Sequence, residues 1–251
     1  MRAKKSLGQN FLISPRVSQM IANAGDIETG ENVVEIGPGK GALTKELLVA
    51  GAKVIAVEKD SSLIPLLEEK FAKEISEKRL EIISGDALGE IDVPKKYKLI
   101  ANIPYYITGA ILEKFLGGKN PPTLAVLMLQ KEVAERIVAR NEKESILSIS
   151  VKIFGEPSIV MRVARGNFFP IPNVDSAVLK ISNIKNPFAS KTEEERFFEL
   201  VKKGFAHKRK KLTSNLELSA AQIEKLAIPK NIRAEDASLE FWKNLAEKLR
   251  I

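Results

Sequence analysis

Hydrophobic residues along this chain follow two alternating rhythms. Short apolar runs rich in β-branched residues, NVVEIG (32–37), KVIAVE (53–58), LEIISGD (80–86), YKLIAN (97–102) and TLAVLMLQ (123–130), are too short for helices. They read as strands buried on both faces. Between them GALTKELLVAG (41–51), SSLIPLLEEKFAKEI (61–75) and TGAILEKFLGG (108–118) repeat their apolar positions at helical spacing, and two of the three close on glycine, a residue that ends helices readily. Strand and helix in regular alternation predict a doubly wound α/β layer. QKEVAERIVA (130–139) adds a further helix, and PSIVMRVA (157–164) and SAVLKISN (176–183) predict late strands at one edge.

After NIKNPFAS (183–190) the strand rhythm stops. From TEEERFFELVKKGFAHKRKKLTSNL (192–216) to ASLEFWKNLAEKLRI (237–251) only helical periodicity remains. The expected organisation is an α/β domain over 1–185 and a small all-helical domain over 186–251, with no internal repeat and no low-complexity tract.

Composition changes this picture only a little. A chain of 251 residues that is 44% hydrophobic can bury a sizeable core. It has no cysteine, which excludes disulfides and thiolate metal sites and fits a reducing, cytoplasmic setting. MRAKKSLGQNFL has no apolar signal core, and no apolar run approaches the roughly 20 residues that span a bilayer. A soluble protein is expected. Forty Lys plus Arg against 32 Asp plus Glu give a net charge of +8, which favours a polyanionic partner.

Chemistry enters at the predicted strand ends. VVEIGPGKGALTKELL places Gly37, Gly39 and Gly41 between a strand and a helix, where glycine permits positive φ and lets a ligand approach main-chain N–H groups. The next strand ends in Glu58, 21 residues after Gly37, where a carboxylate can accept ribose hydroxyls. A nucleoside-containing ligand follows, but not its identity: Gly37, Gly39 and Ala42 also satisfy the dinucleotide pattern, so an NAD enzyme stays open on these residues. The third strand ends in SGDAL, bringing Asp86 to the same rim. Its carboxylate can accept from an adenine amine, or it can simply form the turn that Gly-Asp favours.

LIANIPYYIT (99–108) ends a strand with an amide, a proline and two tyrosines. Asn102 can offer its side-chain oxygen, Pro104 stiffens the turn beside the carbonyl of Ile103, and Tyr105 offers a flat face. Two acceptors and a ring would hold a planar aromatic amine and draw its nitrogen toward an attack-ready geometry. The alternative is a loop whose tyrosines pack on the core.

Together KKSLGQNFL, VVEIGPGKGALTKELL, NIPYYIT, LMLQKEVAERIVA and FFPIPNVDSAV closely resemble the ribosomal RNA adenine dimethyltransferases, in order from residue 4 to about 182. FAHKRKKLTSNL (205–216) also resembles the family's basic segment. The resemblance implies a doubly wound Rossmann-like methyltransferase sheet with a small C-terminal all-helical domain. It implies S-adenosyl-L-methionine as cofactor, no metal, and conversion of two adjacent adenosines near the 3′ end of small-subunit ribosomal RNA to N6,N6-dimethyladenosine. Within an assembling small ribosomal subunit the protein would act as a monomer.

Carried over by motif, Asn10 and Leu12 would contact the cofactor with Gly37, Gly39, Glu58, Asp86 and Asn102. Asn102, Ile103, Pro104 and Tyr105 would hold the target adenine, and Phe168 would cover another edge of its ring. Lys4, Lys5, Lys208, Arg209, Lys210 and Lys211 would face RNA, the last four on a basic helix that also carries His207, a residue with no catalytic part. Two stretches depart from the family: KESILSISV (143–151) replaces a Tyr-Gly-Arg-Leu-Ser stretch, and ARGN (164–167) replaces prolines. A DNA adenine N6-methyltransferase, or an assembly factor that kept the fold without the activity, are the rival readings. The intact NIPY argues against the second, and the lack of a DNA-reading domain against the first.

Overall fold

The structure is a computed structural model that describes Lys4 and residues 7–249. Its elements begin with a two-residue strand β1 (Phe11–Leu12) and helix α1 (Pro15–Ala24), which Ser14 caps by accepting the N–H of Val17. Serine before proline is a strong helix start because Pro15 needs no N–H partner in the first turn. There follow β2 (Asn32–Ile36), α2 (Ala42–Val49), β3 (Lys53–Glu58), α3 (Ile64–Lys70), α4 (Ala72–Ser76), β4 (Leu80–Ser84), β5 (Lys98–Asn102), α5 (Thr108–Leu116) and β6 (Leu124–Gln130). The single helix expected over 61–75 is broken. A 3₁₀ turn precedes α3, and Phe71 separates α3 from α4 at φ −116°.

Helices α6 (Lys131–Ile137) and α7 (Ile146–Lys152) lead into β7 (Glu156–Val163), the two-residue β8 (Phe168–Phe169) and β9 (Ser176–Ser182). The C-terminal helices are α8 (Lys191–Gly204), α9 (Leu212–Asn215), α10 (Ala220–Lys225) and α11 (Leu239–Lys248).

The main sheet runs β4-β3-β2-β5-β6-β9-β7. Strands β4, β3, β2, β5 and β6 are parallel, and β9 and β7 close one edge antiparallel. Strand order reverses direction between β2 and β5, and a doubly wound sheet opens its ligand crevice beyond the strand ends at that point. Val33, Val54, Ile100, Val126, Met128 and Val178 form the core on one side, packed against Ile21 of α1 and Leu43 and Leu47 of α2. Apart from the main sheet, β1 pairs antiparallel with β8, joining Phe11 to Phe169 and Leu12 to Phe168.

Two compact units divide the chain: Met1–Ala134 with Gly155–Lys185, and Glu135–Phe154 with Asn186–Ile251. The chain passes from the first unit to the second between Lys185 and Asn186, and residues 135–154, assigned from sequence to the α/β domain, group with the C-terminal helices. The reason lies in contacts remote in sequence. Phe154 meets Phe188 and Phe198, the N–H of Glu144 bonds the Glu235 carbonyl, and Lys143 pairs with Asp236. Among the described residues no helix is long and apolar enough to cross a membrane.

Candidate active site

The cavity at the switch point is lined by residues 7–12, the glycine loop, the ends of β3, β4 and β5, and the NIPYY turn. Gly37, Gly39 and Gly41 all take positive φ (66°, 59° and 72°). Side chains would not fit here: a Cβ on Gly39 would stand 3.0 Å from the Phe11 ring, and one on Gly41 would collide with Phe71. A Cβ on Gly37 would instead project toward open space, with only the Asn102 main-chain oxygen near, at 3.9 Å. That gap admits a ligand against the backbone.

Glu58, buried at the end of β3, ties the loop down. Its Oε2 accepts the N–H of Gly39 at 3.0 Å and its Oε1 that of Asp60 at 2.8 Å. Each carboxylate oxygen keeps a second lone pair for a ligand hydroxyl. Burial pushes the Glu58 pKa up in spite of these donors. Asp86 forms its turn, accepting the N–H of Leu88 at 2.9 Å, and it also pairs with Lys59 at 2.7 Å. The Lys59 ammonium holds the Asp86 carboxyl below its ordinary value.

At the end of β5, Asn102 donates its Nδ2 to the Asn10 main-chain oxygen at 3.5 Å. With its nitrogen turned to Asn10, the amide leaves its oxygen as the acceptor. Ile103 donates its N–H to Met128 at 3.1 Å, and Tyr105, half-buried, shares a 2.8 Å hydrogen bond with Ser176. Asn10, Leu12, Gly37, Gly39, Glu58, Asp86, Asn102, Ile103, Pro104 and Tyr105 therefore line one cavity.

Phe168 does not join them. The strand pair β1–β8 alternates its side chains, so Phe168 turns inward with 1% exposure while Phe169 faces out at 63%. The ring expected to cover the adenine is part of the core, beside Leu12, its partner across the strand pair. The expected RNA-facing lysines also divide. Lys4 bonds Asp60 at 2.6 Å and Ser62 at 3.2 Å, and Lys5 lies outside the described residues.

Lys208, Arg209, Lys210 and Lys211 are exposed in the second unit, in the turn between α8 and α9 and not on a helix. Asn215 stops the helix by donating to the Gly204 and His207 carbonyls, satisfying chain ends that a continuing helix would have bonded itself. His207 is exposed there. Of the departures from the family pattern, residues 143–151 supply a capping box from Ser145 and Ser148 for α7. Residues 164–167 form a 3₁₀ turn in which Arg165 donates its N–H to Asp175 and Asn167 accepts that of Ile13.

Sequence reasoning missed Glu35. This residue of VVEIG lines the cavity floor, fully buried, and its Oε2 has no hydrogen-bond partner among the described residues. Burial first, and then the nearby Glu58 charge, push its pKa up to about 8. The signal was available as a lone carboxylate within an otherwise apolar parallel strand.

The profile of the ribosomal RNA adenine dimethylase family matches residues 1–250. The chain belongs to that family. It is 43% identical to the ribosomal RNA small subunit methyltransferase A of Dehalococcoides mccartyi strain CBDB1, over 98% of this chain and 88% of the relative. It is 40% identical to the protein of the same name from Lactococcus lactis, over 98% and 90%. Among solved structures it resembles a dimethyladenosine transferase from Plasmodium falciparum (TM-score 0.80, 27% identity, 96% of this chain and 97% of that one). It also resembles the 23S rRNA methyltransferase ErmE (TM-score 0.78, 25% identity, 96% and 100%).

This dimethylase is thus an S-adenosylmethionine-dependent enzyme whose substrate is adenine in ribosomal RNA. The residues present fit that cofactor. The open approach at Gly37 and the Glu58 carboxylate that fastens the same loop are what a ligand with ribose hydroxyls requires.

Proposed function

We propose that this dimethylase acts on two adjacent adenosines near the 3′ end of small-subunit ribosomal RNA, converting each to N6,N6-dimethyladenosine within an assembling small subunit. Asn10, Leu12, Gly37, Gly39, Glu58, Asp86 and Asn102 hold the cofactor, with Glu58 accepting ribose hydroxyls and Asp86 an adenine amine. When bound, S-adenosylmethionine supplies an electrophilic methyl group on a sulfonium sulfur.

The observation that carries the chemistry is the Asn102 amide, whose nitrogen is turned to Asn10. Its oxygen and the Ile103 carbonyl accept the two hydrogens of the target N6, which draws the nitrogen lone pair out of the ring. Pro104, at φ −55° and ψ 129°, fixes the turn that sets these acceptors side by side. Tyr105 stacks on the base, and the bond to Ser176 holds its ring. The base must reach them unstacked, because N6 within a helical stack is inaccessible. Phe168 contributes indirectly, as the partner of Leu12 across the β1–β8 pair. We place the enzyme in the cytoplasm as a monomer without a metal, with Lys208, Arg209, Lys210 and Lys211 meeting RNA phosphates.

Small-subunit RNA is favoured over large-subunit RNA by the higher identity to relatives named for the small subunit, 43% against 25% for the 23S enzyme. The test is nucleoside mass spectrometry after incubation with S-adenosylmethionine and, separately, undermethylated small subunits, free small- and large-subunit RNA, and DNA. Dimethyladenosine at two neighbouring positions of the small subunit is expected. Modification confined to large-subunit RNA or to DNA would overturn the reading.

A further inference from the structure

Asp60 lies two residues beyond Glu58, outside the cavity lining, and is only 4% exposed. Its Oδ1 accepts from Lys4 Nζ at 2.6 Å, Ser62 Oγ at 2.6 Å and Ser62 N at 3.1 Å, and its Oδ2 accepts from Gln9 Nε2 at 2.8 Å. Gln9 in turn accepts the main-chain N–H of Lys4 at 2.7 Å. Lys4, Gln9 and Asp60 thus form a closed ring of bonds. Burial works against the charge, but Lys4, Ser62 and Gln9 together hold the Asp60 carboxyl well below the usual carboxylate range.

The segment that leaves this ring runs along the cavity. At Gly8 (φ 59°) it passes so close to Tyr106 that a Cβ would stand 3.1 Å from the ring. Asn10 then takes the amide of Asn102, Phe11 covers Gly39, and Leu12 pairs with Phe168. Residues 7–12 are a strap held at its far end by the β1–β8 pair and at its near end by Asp60. The same Asp60 gives its own N–H to Glu58 Oε1 at 2.8 Å.

We propose that Asp60 is a positioning residue for the cofactor: through Lys4 and Gln9 it latches the strap closed along the cavity, and through its main-chain N–H it presents the Glu58 carboxylate. The proposal rests on the reading of this cavity as the cofactor site. A strap ordered in advance does not have to be ordered by the ligand, so the latch adds affinity without touching the reacting atoms. It also gives Lys4 an intramolecular partner in place of RNA phosphate.

The test compares wild type with Asp60→Asn, Lys4→Met and Gln9→Ala, using S-adenosylmethionine calorimetry, steady-state kinetics on undermethylated small subunits, and hydrogen–deuterium exchange of residues 7–12 without cofactor. Loss of a charged hydrogen bond should raise both Kd and KM for S-adenosylmethionine about tenfold in Asp60→Asn and Lys4→Met. The strap amides should exchange faster, while kcat and the KM for small subunits stay as in wild type. Should Asp60→Asn fail to fold, the two strap variants, whose side chains reach Asp60 from the surface, carry the same expectation.

Unchanged cofactor affinity and unchanged strap exchange in the variants would overturn the latch. So would a Lys4→Met protein whose KM rises for small subunits and not for S-adenosylmethionine, which would return Lys4 to the RNA surface. A wild-type protein that binds no S-adenosylmethionine would overturn the assignment of the cavity itself.

Discussion

Glu58 accepts the main-chain N–H of Gly39 at 3.0 Å, so the carboxylate that ends β3 fastens the glycine loop that follows β2. One side chain therefore shapes the cavity, and in the proposed reading it also offers its remaining lone pairs to the ligand. Glu58→Ala is expected to weaken S-adenosylmethionine binding by about 1 to 3 kcal/mol, because buried polar partners are left unmet. Isothermal calorimetry measures it directly, and tighter binding of NAD than of S-adenosylmethionine would contradict the cofactor reading.

Glu35 makes stability depend on pH in a direction opposite to that of a paired carboxylate. Its pKa is 4.5 in the unfolded reference and about 8 when buried. Between these values the folded state holds the proton that the unfolded state has released. Its contribution is complete below pH 4.5 and is lost as pH rises toward 8. Glu35→Gln removes this titration, so its stability relative to wild type should rise by on the order of a few kcal/mol between pH 5 and pH 8. Urea unfolding of both proteins across that range gives the difference, and parallel pH profiles would exclude the effect.

Asn102 and Tyr105 should separate by kind of defect. Asn102→Ala loses an acceptor for the amine and the bond to Asn10, and is expected to lower the methylation rate most. Tyr105→Ala should lose roughly 1 to 3 kcal/mol of base stacking. Tyr105→Phe keeps the ring and gives up only the Ser176 bond, about 0.5 to 1.5 kcal/mol of stability. Single-turnover methylation paired with thermal unfolding distinguishes the three, and full turnover in Asn102→Ala would remove the proposed acceptor.

The turn 208–211 presents four exposed cations in succession. Replacing Lys208, Arg209, Lys210 and Lys211 with Gln should weaken binding to small subunits and flatten the slope of log affinity against log salt by roughly two units, since each neutralised phosphate contributes about −0.7 to −0.9. S-adenosylmethionine affinity should not change, because none of the four lines the cavity. Anisotropy titrations over a salt series would show identical slopes if the run only meets solvent.

What the sequence determined alone was whatever depends on local order. Apolar runs such as 53–58 and 124–130 became buried strands, Ser14 and Pro15 began a helix, and the glycines at 37, 39 and 41 made a loop of positive φ at the first strand end. These follow from side-chain spacing and backbone sterics, which act over a few residues. The common location of Gly37, Glu58, Asp86 and Asn102 was legible for the same reason, because parallel strands bring their C-terminal ends to one rim.

Tertiary structure decided the rest. Phe168 and Phe169 are identical neighbours, and only pairing with β1 determines which is buried. Lys4 read as an RNA-facing cation from sequence, and folding brings it to Asp60, 56 residues away. The basic run read as helix, but Asn215 bonds the carbonyl of Gly204, the last residue of α8, and that of His207 beyond it. Residues 135–154 joined the C-terminal unit through Phe154, Glu144 and Lys143, whose partners lie far along the chain. In each case the deciding contact joins groups from separate elements, and its strength depends on a burial that only the packed chain creates.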